Sequence, residues 1–436
     1  MKHQLPHLLA IVLLLLVAPR VRAQTSGQTN TAKIASITVT GAHKVPTAQI
    51  VSASGLKPGD VVTAQQIQEV ADRLSALGLF SSVNYRFSSK GESIALDFQV
   101  QEAATVPLWF DNFPWFTDDE IAAAIRRQVG LFAGESPEDG AMVAEITDVL
   151  TKLLATRKIA GTLTHQLIAP PVGDGMVLQF RVEGSNVKVQ SVQFGDPIAA
   201  DSEKLKDRVS DIKGQPYSRF AIETFENEQV RPLYVTQGYL RAQIGLLQSK
   251  LTTNSDAAGG LGVDIVIPIT PGATYSWKGV SWQGNSATLS ETLDGSVPLK
   301  SGAVADGMKI EDAWRRIEAD YQRRGYLDAK LDAQAQFDDA NHQVFYHANI
   351  AEGHQYRMGE MVITGLSLDA EKALRHVWQI TPGQIFDNGY FEKFIKLLAK
   401  PSPEVFGEIP VHYNDFGHWL RPNADLHTMD VLFDFK

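Results

Sequence analysis

The sequence predicts an α+β protein of tandem βααββ modules, each a three-stranded sheet with two helices on one face. The chain contains five segments of about eighty residues, and each ends in a run of alternating apolar residues, which is the pattern of an internal repeat. These runs end at Val100, Val182, Ile269, Ile350 and Phe435, which lie 82, 87, 81 and 85 positions apart. Apolar alternation with a period of two indicates a strand with one buried face.

Two further patterns repeat in phase with these strands. A pair of glycines lies 18 or 19 positions apart in four modules, as Gly41 and Gly59, Gly195 and Gly214, Gly284 and Gly302, and Gly365 and Gly383. Glycines at such places typically form the turns after a strand and after a short helix. The second pattern is a tyrosine four residues before a Gly-Tyr-Leu sequence, at Tyr234 and again at Tyr321. It predicts the end of the second helix, with the tyrosine on the face that packs against the sheet.

The first module shows the element order most directly. Ile37 and Val39 predict a strand, residues 48–54 a short helix, and Thr63 with Gln66 a capping box that opens a second helix. Residues 82–87 and 93–100 predict a hairpin that turns at Gly91. Modules three and four repeat this order, with second helices near residues 219–236 and 310–323.

Modules two and five depart from the pattern. In module two the strand of Val106, Leu108 and Phe110 is followed by Asn112 where the others have glycine, and a long helix is expected near residues 142–157. In module five Pro401 and Pro403 end the second helix early. The predicted modules are residues 33–102, 103–183, 187–271, 273–352 and 354–436. Their short junctions predict an elongated array in which neighbours share some burial.

The first 23 residues predict a secretory signal peptide. Lys2 precedes an apolar run, and a small-residue site predicts cleavage after Ala23. The chain has no cysteine, which excludes disulfides and thiolate metal sites. Beyond residue 24 no apolar run reaches the length of a membrane-spanning helix. The formal net charge of −10 argues against binding to nucleic acid.

The sequence contains no recognisable catalytic constellation. It has no nucleophile elbow, no His-Glu-x-x-His and no phosphate-binding loop with its lysine. His412, Asp415 and His418 are candidate metal ligands, although the same residues also suit an exposed hairpin turn. We therefore expect a protein that is not an enzyme and has no cofactor or metal, with a hydrolase whose site includes His412 or His418 as a rival interpretation.

At several points the modules resemble polypeptide-transport-associated (POTRA) domains, which occur in the periplasmic arms of BamA-type outer-membrane insertases, TamA and two-partner secretion transporters. The residues that carry this resemblance are Val280-Ser-Trp-Gln-Gly284, Ile363-Thr-Gly365, Leu77-Gly-Leu-Phe80, the Gly-Tyr helix ends, and Ala351-Glu-Gly353 followed by Tyr356. It covers residues 33–436. Five such domains before a barrel is the arrangement associated with BamA, and since nothing follows Lys436 the chain looks like a BamA arm without its barrel.

The resemblance implies that the strand after the second helix lies at the edge of each sheet. Unpaired backbone groups at such an edge can accept an extended segment of another chain. The candidate residues in module three are Leu240, Arg241, Ala242, Gln243, Ile244 and Gly245, and residues 327–331 are the candidates in module four. The alternative is that these edges are solvated or covered by a neighbouring module.

A cluster of aromatic residues in module two is the second candidate contact. It comprises Trp109, Phe110, Phe113, Trp115 and Phe116. Such residues either pack in the core and between modules or form a pocket for a partner, where aromatic side chains dominate binding energy.

These observations favour a non-enzymatic periplasmic scaffold in outer-membrane protein assembly or export, peripheral to the outer membrane at most. Its expected partners are outer-membrane protein clients or insertase components. One alternative is a fixed-partner structural scaffold of another cell-envelope complex. Another is the periplasmic arm of a split or truncated insertase.

Overall fold

A computed structural model describes residues 31–91, 93–252, 260–400 and 413–436. The predicted signal peptide with its cleavage site at Ala23 lies outside these ranges, as do Pro401, Pro403 and His412. By its internal contacts the chain forms two compact units. The first extends to Leu108 and includes Asp118–Ile159, and the second comprises Trp109–Thr117 and Ala160–Lys436.

The first unit begins with a four-stranded sheet in the order β2-β1-β4-β3. Its elements are β1 (Thr31–Thr40), α1 (Thr47–Ser54), β2 (Val61–Thr63), α2 (Ala64–Ala76), β3 (Phe80–Lys90) and β4 (Ser93–Glu102). The capping box is present, because the Thr63 hydroxyl accepts a hydrogen bond from the backbone of Gln66 and the Gln66 side chain accepts one from the backbone of Thr63. Leu96 and Phe98 of the central strand are buried together with Leu74 of α2.

Some of the next six elements belong to the first unit and the others to the second, and β5 is divided between the two. They are β5 (Val106–Phe110), α3 (Asp118–Gln128), β6 (Glu135–Ser136), α4 (Ala141–Thr156), β7 (Thr162–Ile168) and β8 (Val177–Glu183). In the first unit the start of β5 pairs with β6. In the second unit β8 lies between the end of β5 and the antiparallel strand β7.

The second unit continues with a group whose second helix is irregular. Its elements are β9 (Val187–Phe194), α5 (Pro197–Ala200), α6 (Glu203–Ile212), α7 (Arg219–Phe225), a π-helical turn (Glu226–Val230), α8 (Arg231–Val235), β10 (Gln243–Ile244), β11 (Gln248–Thr252), β12 (Leu261–Ile267) and β13 (Ile269–Thr270). The strands form a sheet in the order β11-β12-β9 and a short pair, β10-β13.

Two further groups complete the second unit. The elements of one are β14 (Ser276–Gln283), α9 (Ser290–Ser296), α10 (Gly307–Arg323), β15 (Lys330–Asp338) and β16 (Gln343–Ala351). The elements of the other are β17 (Arg357–Thr364), α11 (Leu368–Val377), α12 (Asn388–Leu398), β18 (Phe416–Asn423) and β19 (Thr428–Phe435). Their sheets have the orders β14-β16-β15 and β17-β19-β18.

The same topology recurs, and it confirms the α+β class with repeated βααββ groups. The first two sheets have four strands instead of the predicted three, because a short strand, β2 or β6, lies between the two helices. In four sheets the last strand in sequence is central, parallel to the first strand and antiparallel to the one before it. These central strands carry the predicted alternating runs, and their inward residues, such as Ile265 and Val431, are fully buried. In the last sheet Phe433 packs with Leu374 of α11 and Phe394 of α12.

Consecutive groups of the second unit are joined by the residues at the end of the second helix. The carbonyl oxygen of Gly238 accepts a hydrogen bond from the backbone N–H of Tyr275 at 2.9 Å, and Gly325 accepts one from Tyr356 at 2.8 Å. The hydroxyl of Tyr275 donates to Asp339 at 2.6 Å. The Gly-Tyr sequences therefore mark both a helix end and a contact with the following group.

Candidate functional site

The strand after the second helix lies at an edge in every sheet. These edge strands are β3, β7, β11, β15 and β18, and among the described residues each of them pairs on one side only. Their outward backbone N–H and C=O groups are available for pairing with another strand. The edge of the third group differs from the others because its strand is interrupted between β10 and β11.

The interruption is a β-bulge. Gln243 pairs with Thr270 and Ile244 with Ile269, while Gly245 donates its backbone N–H to Pro268 at 2.7 Å. Beyond the interruption Gln248 pairs with Val266. Two residues, Leu246 and Leu247, therefore lie opposite the single residue Ile267, which is the arrangement of a bulge. We call residues 243–252 the bulged edge.

The bulge exposes an apolar side chain. Leu246 is 87% exposed, more than any other large apolar residue of the described chain. A strand of uninterrupted register would alternate its side chains between the two faces, whereas an extra residue turns one of them outward. The bulged edge thus combines unpaired backbone groups with an apolar anchor.

The predicted residues of this edge are only partly in the strand. Leu240, Arg241 and Ala242 precede β10 in a turn, Gln243 and Ile244 form β10, and Gly245 begins the bulge. Arg241 belongs to the junction instead, since it forms an ion pair with Asp339 at 3.0 Å and its guanidinium lies 4.0 Å from the ring centre of Phe337. In the next group the edge strand begins at Lys330, within the predicted residues 327–331, and runs to Asp338.

A cavity of about 260 Å³ adjoins the bulged edge. One part of its lining comes from the edge and the turn before it, another from α7, the π-helical turn and the start of α8, and Val172 is contributed by the loop between β7 and β8. The lining residues are Val172, Arg219, Glu223, Glu226, Asn227, Arg231, Ala242, Ile244, Gly245, Leu246 and Leu247. We call it the Glu226 cavity, because Glu226 is the buried acid among them.

Glu226 is only 5% exposed, and its Oε1 has no hydrogen-bond partner in the described part of the chain. Burial, together with the nearby Glu223 carboxylate, raises the pKa of its carboxyl to about 7, although Arg219 opposes the rise. A buried carboxyl without a partner is costly. Such a group calls for an explanation, and a molecule or ion that completes the site is one.

The π-helical turn brings Glu226 to the cavity, and Pro232 accounts for the turn. Proline has no N–H to donate and its ring crowds the carbonyl four residues earlier, so a regular helix cannot continue through it. Here the N–H of Arg231 donates to the carbonyl of Glu226, five residues before it, which inserts one extra residue into the helix. Such π-turns occur frequently at functional sites.

The aromatic cluster is mainly buried. Phe110, Phe113 and Trp115 are buried, and the ring of Phe110 lies 5.6 Å from that of Phe113 and 6.1 Å from that of Phe180. Trp109 and Phe116 are half-buried. The burial of these three side chains corresponds to the packing interpretation, and a partner contact by Trp109, Phe113 and Trp115 stays a prediction.

Asn112, which stands where the other modules have glycine, forms hydrogen bonds that hold the segment of the aromatic cluster to the strand β8. Its side-chain amide donates to the carbonyl of Val182 at 2.9 Å, and its oxygen accepts the N–H of Val182 at 2.8 Å. The guanidinium carbon of Arg219 lies 5.8 Å from the centre of the Trp109 ring, so the aromatic cluster contacts a residue that lines the Glu226 cavity.

Two other features concern chemistry and membranes. The ring of His418 lies 5.9 Å from that of Phe391 and 5.8 Å from that of Phe416. Across the four described ranges no three His, Asp or Glu residues are grouped as a metal site. In the same ranges no helix is both long enough and apolar enough to cross a membrane.

Sequence reasoning missed Glu226, Leu246 and Leu247. The signal for the bulge was the Leu-Leu pair directly after Gly245, which breaks the alternation of a strand. The signal for the π-turn was Pro232 inside an otherwise continuous helical pattern. Neither signal indicates by itself that a cavity lies between the two.

Comparison with known proteins identifies the repeated fold. Residues 32–103 and 275–353 match the model of the POTRA family, described as a surface antigen variable number repeat. A "Putative outer membrane protein assembly factor" of Treponema pallidum (strain Nichols) is 22% identical over 268 residues, which are 60% of this chain and 31% of that protein. The match therefore covers less than a third of the length of that relative.

Two solved structures are also similar. The POTRA3-5 region of Haemophilus influenzae BamA is 18% identical, covers 57% of this chain and 96% of its own, and has a TM-score of 0.46. The POTRA1-3 region of Omp85 from Anabaena is 15% identical, covers 57% of this chain and 94% of its own, and has a TM-score of 0.22. The chain therefore has POTRA-family matches in its first and fourth sheets, and one topology is repeated between and after them.

Proposed function

We propose that this chain is a non-enzymatic periplasmic POTRA scaffold in outer-membrane protein assembly, and that it captures extended segments of other proteins by strand addition at the bulged edge. The observation that carries this proposal is the exposed Leu246 beside unpaired backbone groups. The name of the Treponema relative supports the assembly role.

Strand addition suits a protein that handles many clients. Backbone hydrogen bonds supply affinity whatever the side chains of the added strand, and pockets beside the edge add specificity. Because Gly245 donates inward to Pro268, the alternation of an antiparallel ladder directs the N–H of Gln243 inward and that of Ile244 outward. Ile244 is therefore the residue of β10 that offers its N–H to an added strand.

The composition of the bulged edge also favours pairing. Between Gln243 and Thr252 the only charged residue is Lys250. By contrast β15 carries Lys330, Asp332 and Asp338, and charges along an edge discourage association with another strand. Backbone pairing at the bulged edge therefore meets less electrostatic opposition.

We further propose that the chain is exported to the periplasm, cleaved after Ala23 and peripheral to the outer membrane at most. Its proposed partners are outer-membrane protein clients or insertase components, and the net charge of −10 argues against nucleic acid. The proposed POTRA repeats are residues 33–102, 103–183, 187–271, 273–352 and 354–436. The sheets support these bounds, because the strands β4, β8, β12, β16 and β19, one in each range, all lie inside their sheets.

Affinity capture from envelope extract tests the proposal, with bound proteins identified by mass spectrometry. Ile244→Pro removes the outward N–H, and Ile244→Ala removes the side chain but keeps the N–H. We expect wild-type chain to retain outer-membrane proteins or insertase components, Ile244→Pro to lose most of them, and Ile244→Ala to retain them in part. Unchanged capture by a folded Ile244→Pro chain contradicts edge pairing. Recovery of one unrelated envelope protein, with no outer-membrane protein clients, indicates a fixed-partner scaffold instead.

A further inference from the structure

We propose that the Glu226 cavity binds a lysine or arginine side chain of the captured segment, with the cationic group at the Glu226 carboxylate. This inference rests on the proposed capture at the bulged edge and names the class of side chain that the edge selects. Three properties of the cavity support it: its charge, its walls and its position.

The charge of the cavity calls for a cation. Arg219 lies 3.8 Å from the Glu223 carboxylate. Arg231 forms an ion pair with Glu311. Each arginine that lines the cavity thus has its own acidic partner. When Glu226 is ionised, its negative charge is therefore not balanced by either arginine. Its unpartnered Oε1 is an acceptor in a buried place, where a charge-assisted hydrogen bond is stronger than in water.

The walls suit a long aliphatic stem. Val172, Ala242, Ile244, Leu246 and Leu247 supply apolar surface, while the acid lies among the polar residues of the opposite wall. Lysine and arginine characteristically bury their methylene stems along apolar surface and direct the charged end to a polar group. A volume of about 260 Å³ is several times the roughly 30 Å³ share of one water. The cavity therefore has room for a whole side chain.

The position links the cavity to the edge. Ile244, Gly245, Leu246 and Leu247 belong to both the bulged edge and the cavity wall. A strand added at this edge alternates its side chains between the two faces, so every second one points to the side of the helices. A basic residue whose side chain points to the side of the helices enters the cavity, and this contact sets the register of the captured segment.

The ionisation of Glu226 makes this binding depend on pH. The charged or titratable groups around it are Arg219 and Glu223 on α7, Arg231 on α8, and Glu311 on α10, which pairs with Arg231. The residues of the bulge contribute none. With a pKa of about 7, Glu226 is ionised in about one tenth of molecules at pH 6 and about nine tenths at pH 8. Affinity for a basic side chain should therefore rise about tenfold over this interval.

The experiment uses the full chain and three synthetic peptides. Each peptide has nine residues of alternating threonine and valine, with a central lysine, norleucine or tyrosine, and binding is measured by isothermal titration calorimetry at pH 6 and pH 8. Glu226→Gln keeps the shape of the side chain and removes its charge. Glu228→Gln is the matched control, because Glu228 is an exposed acid of the same π-helical turn and does not line the cavity.

We expect wild-type chain and Glu228→Gln to bind the lysine peptide at least tenfold more tightly than the norleucine peptide at pH 8, and to lose most of that preference at pH 6. Glu226→Gln should bind both peptides with the affinity that wild type shows for norleucine. Thermal unfolding verifies that each variant is folded, and the pH profile of wild type tests the proposal without any substitution.

Other results overturn the inference in distinguishable ways. Equal binding of the lysine and norleucine peptides to wild type leaves edge capture standing and refutes the basic-residue cavity. Tighter binding of the tyrosine peptide than of the lysine peptide indicates an aromatic pocket instead. A preference for lysine that persists in folded Glu226→Gln also refutes it. Absence of binding by all three peptides refutes capture at the edge, and the cavity proposal with it.

Discussion

Replacing Gly238 with alanine tests how two consecutive groups of the second unit are joined. Gly238 has a φ of +86°, and a Cβ at this position would lie 2.7 Å from the carbonyl oxygen of Tyr275 and 3.3 Å from its nitrogen. The left-handed conformation costs a residue other than glycine about 1–2 kcal/mol. The overlap with backbone atoms adds about 1–3 kcal/mol, so we expect a local loss of about 2–5 kcal/mol.

Gly214→Ala is the matched control for this substitution. Gly214 belongs to the same repeat and has a φ of +82°, but a Cβ there would meet no atom within 4 Å. It should therefore cost only the backbone part, about 1–2 kcal/mol. The comparison isolates the contact with Tyr275 from the conformational preference of glycine.

Hydrogen exchange measured by mass spectrometry is the suitable assay, because it reports the free energy of local opening, whereas a chain of several repeats need not unfold in a single step. The amide of Tyr275 donates to Gly238 at 2.9 Å, so its exchange should accelerate strongly in Gly238→Ala and stay unchanged in Gly214→Ala. Equal protection of Tyr275 in the two variants would refute the role assigned to this contact.

Three further substitutions have defined expectations. Thr63→Ala removes the capping box of α2 and should lower stability to urea by about 1 kcal/mol, while Gln65→Ala, at an exposed position of the same helix, should have little effect. Burial tends to raise the pKa of Glu102, but hydrogen bonds from the N–H groups of Val45, Lys44 and His43 outweigh it and lower the pKa below its usual value near 4.5. The ionised carboxylate therefore stabilises the fold fully above the usual pKa, and this stabilisation is lost as the pH falls through the lowered pKa. Glu102→Gln should be less stable than wild type at pH 7 and should lose less stability on acidification. Parallel pH profiles of unfolding for the two chains would contradict this. Tyr356→Phe removes the hydroxyl that donates to Asp328 at 3.0 Å and should increase exchange around residue 356 by an amount equivalent to about 1 kcal/mol, with exchange in the first unit as the internal control.

The repeated architecture could be predicted from the sequence because burial imposes a period. The runs ending at Ile269 and Phe435 alternate strictly, and both lie on or directly beyond a central strand with one buried face. The capping box of Thr63 was predictable for a different reason, since it depends on residues only three positions apart. Local and periodic signals of this kind need no knowledge of the tertiary structure.

The candidate site was less predictable because it depends on register and on contacts between distant segments. A strand over residues 240–245 was expected, yet only Gln243 and Ile244 are in β10, since Arg241 is held by Asp339 of the next repeat. The burial of Glu226 follows from the π-turn at Pro232 and from the approach of Leu247, twenty-one positions away. No pattern of spacing in the sequence reports such a meeting of segments.

The bulge between β10 and β11 also limits how much of an edge-bound strand can be held at once. The extra residue shifts the phase of the side chains, so a regular strand that matches β11 is one residue out of step with β10. An added strand can therefore keep its register with at most the five residues of Gln248–Thr252 or with the short stretch around Gln243–Ile244. A footprint of this length contributes few hydrogen bonds, so a segment captured at the proposed edge should dissociate fast.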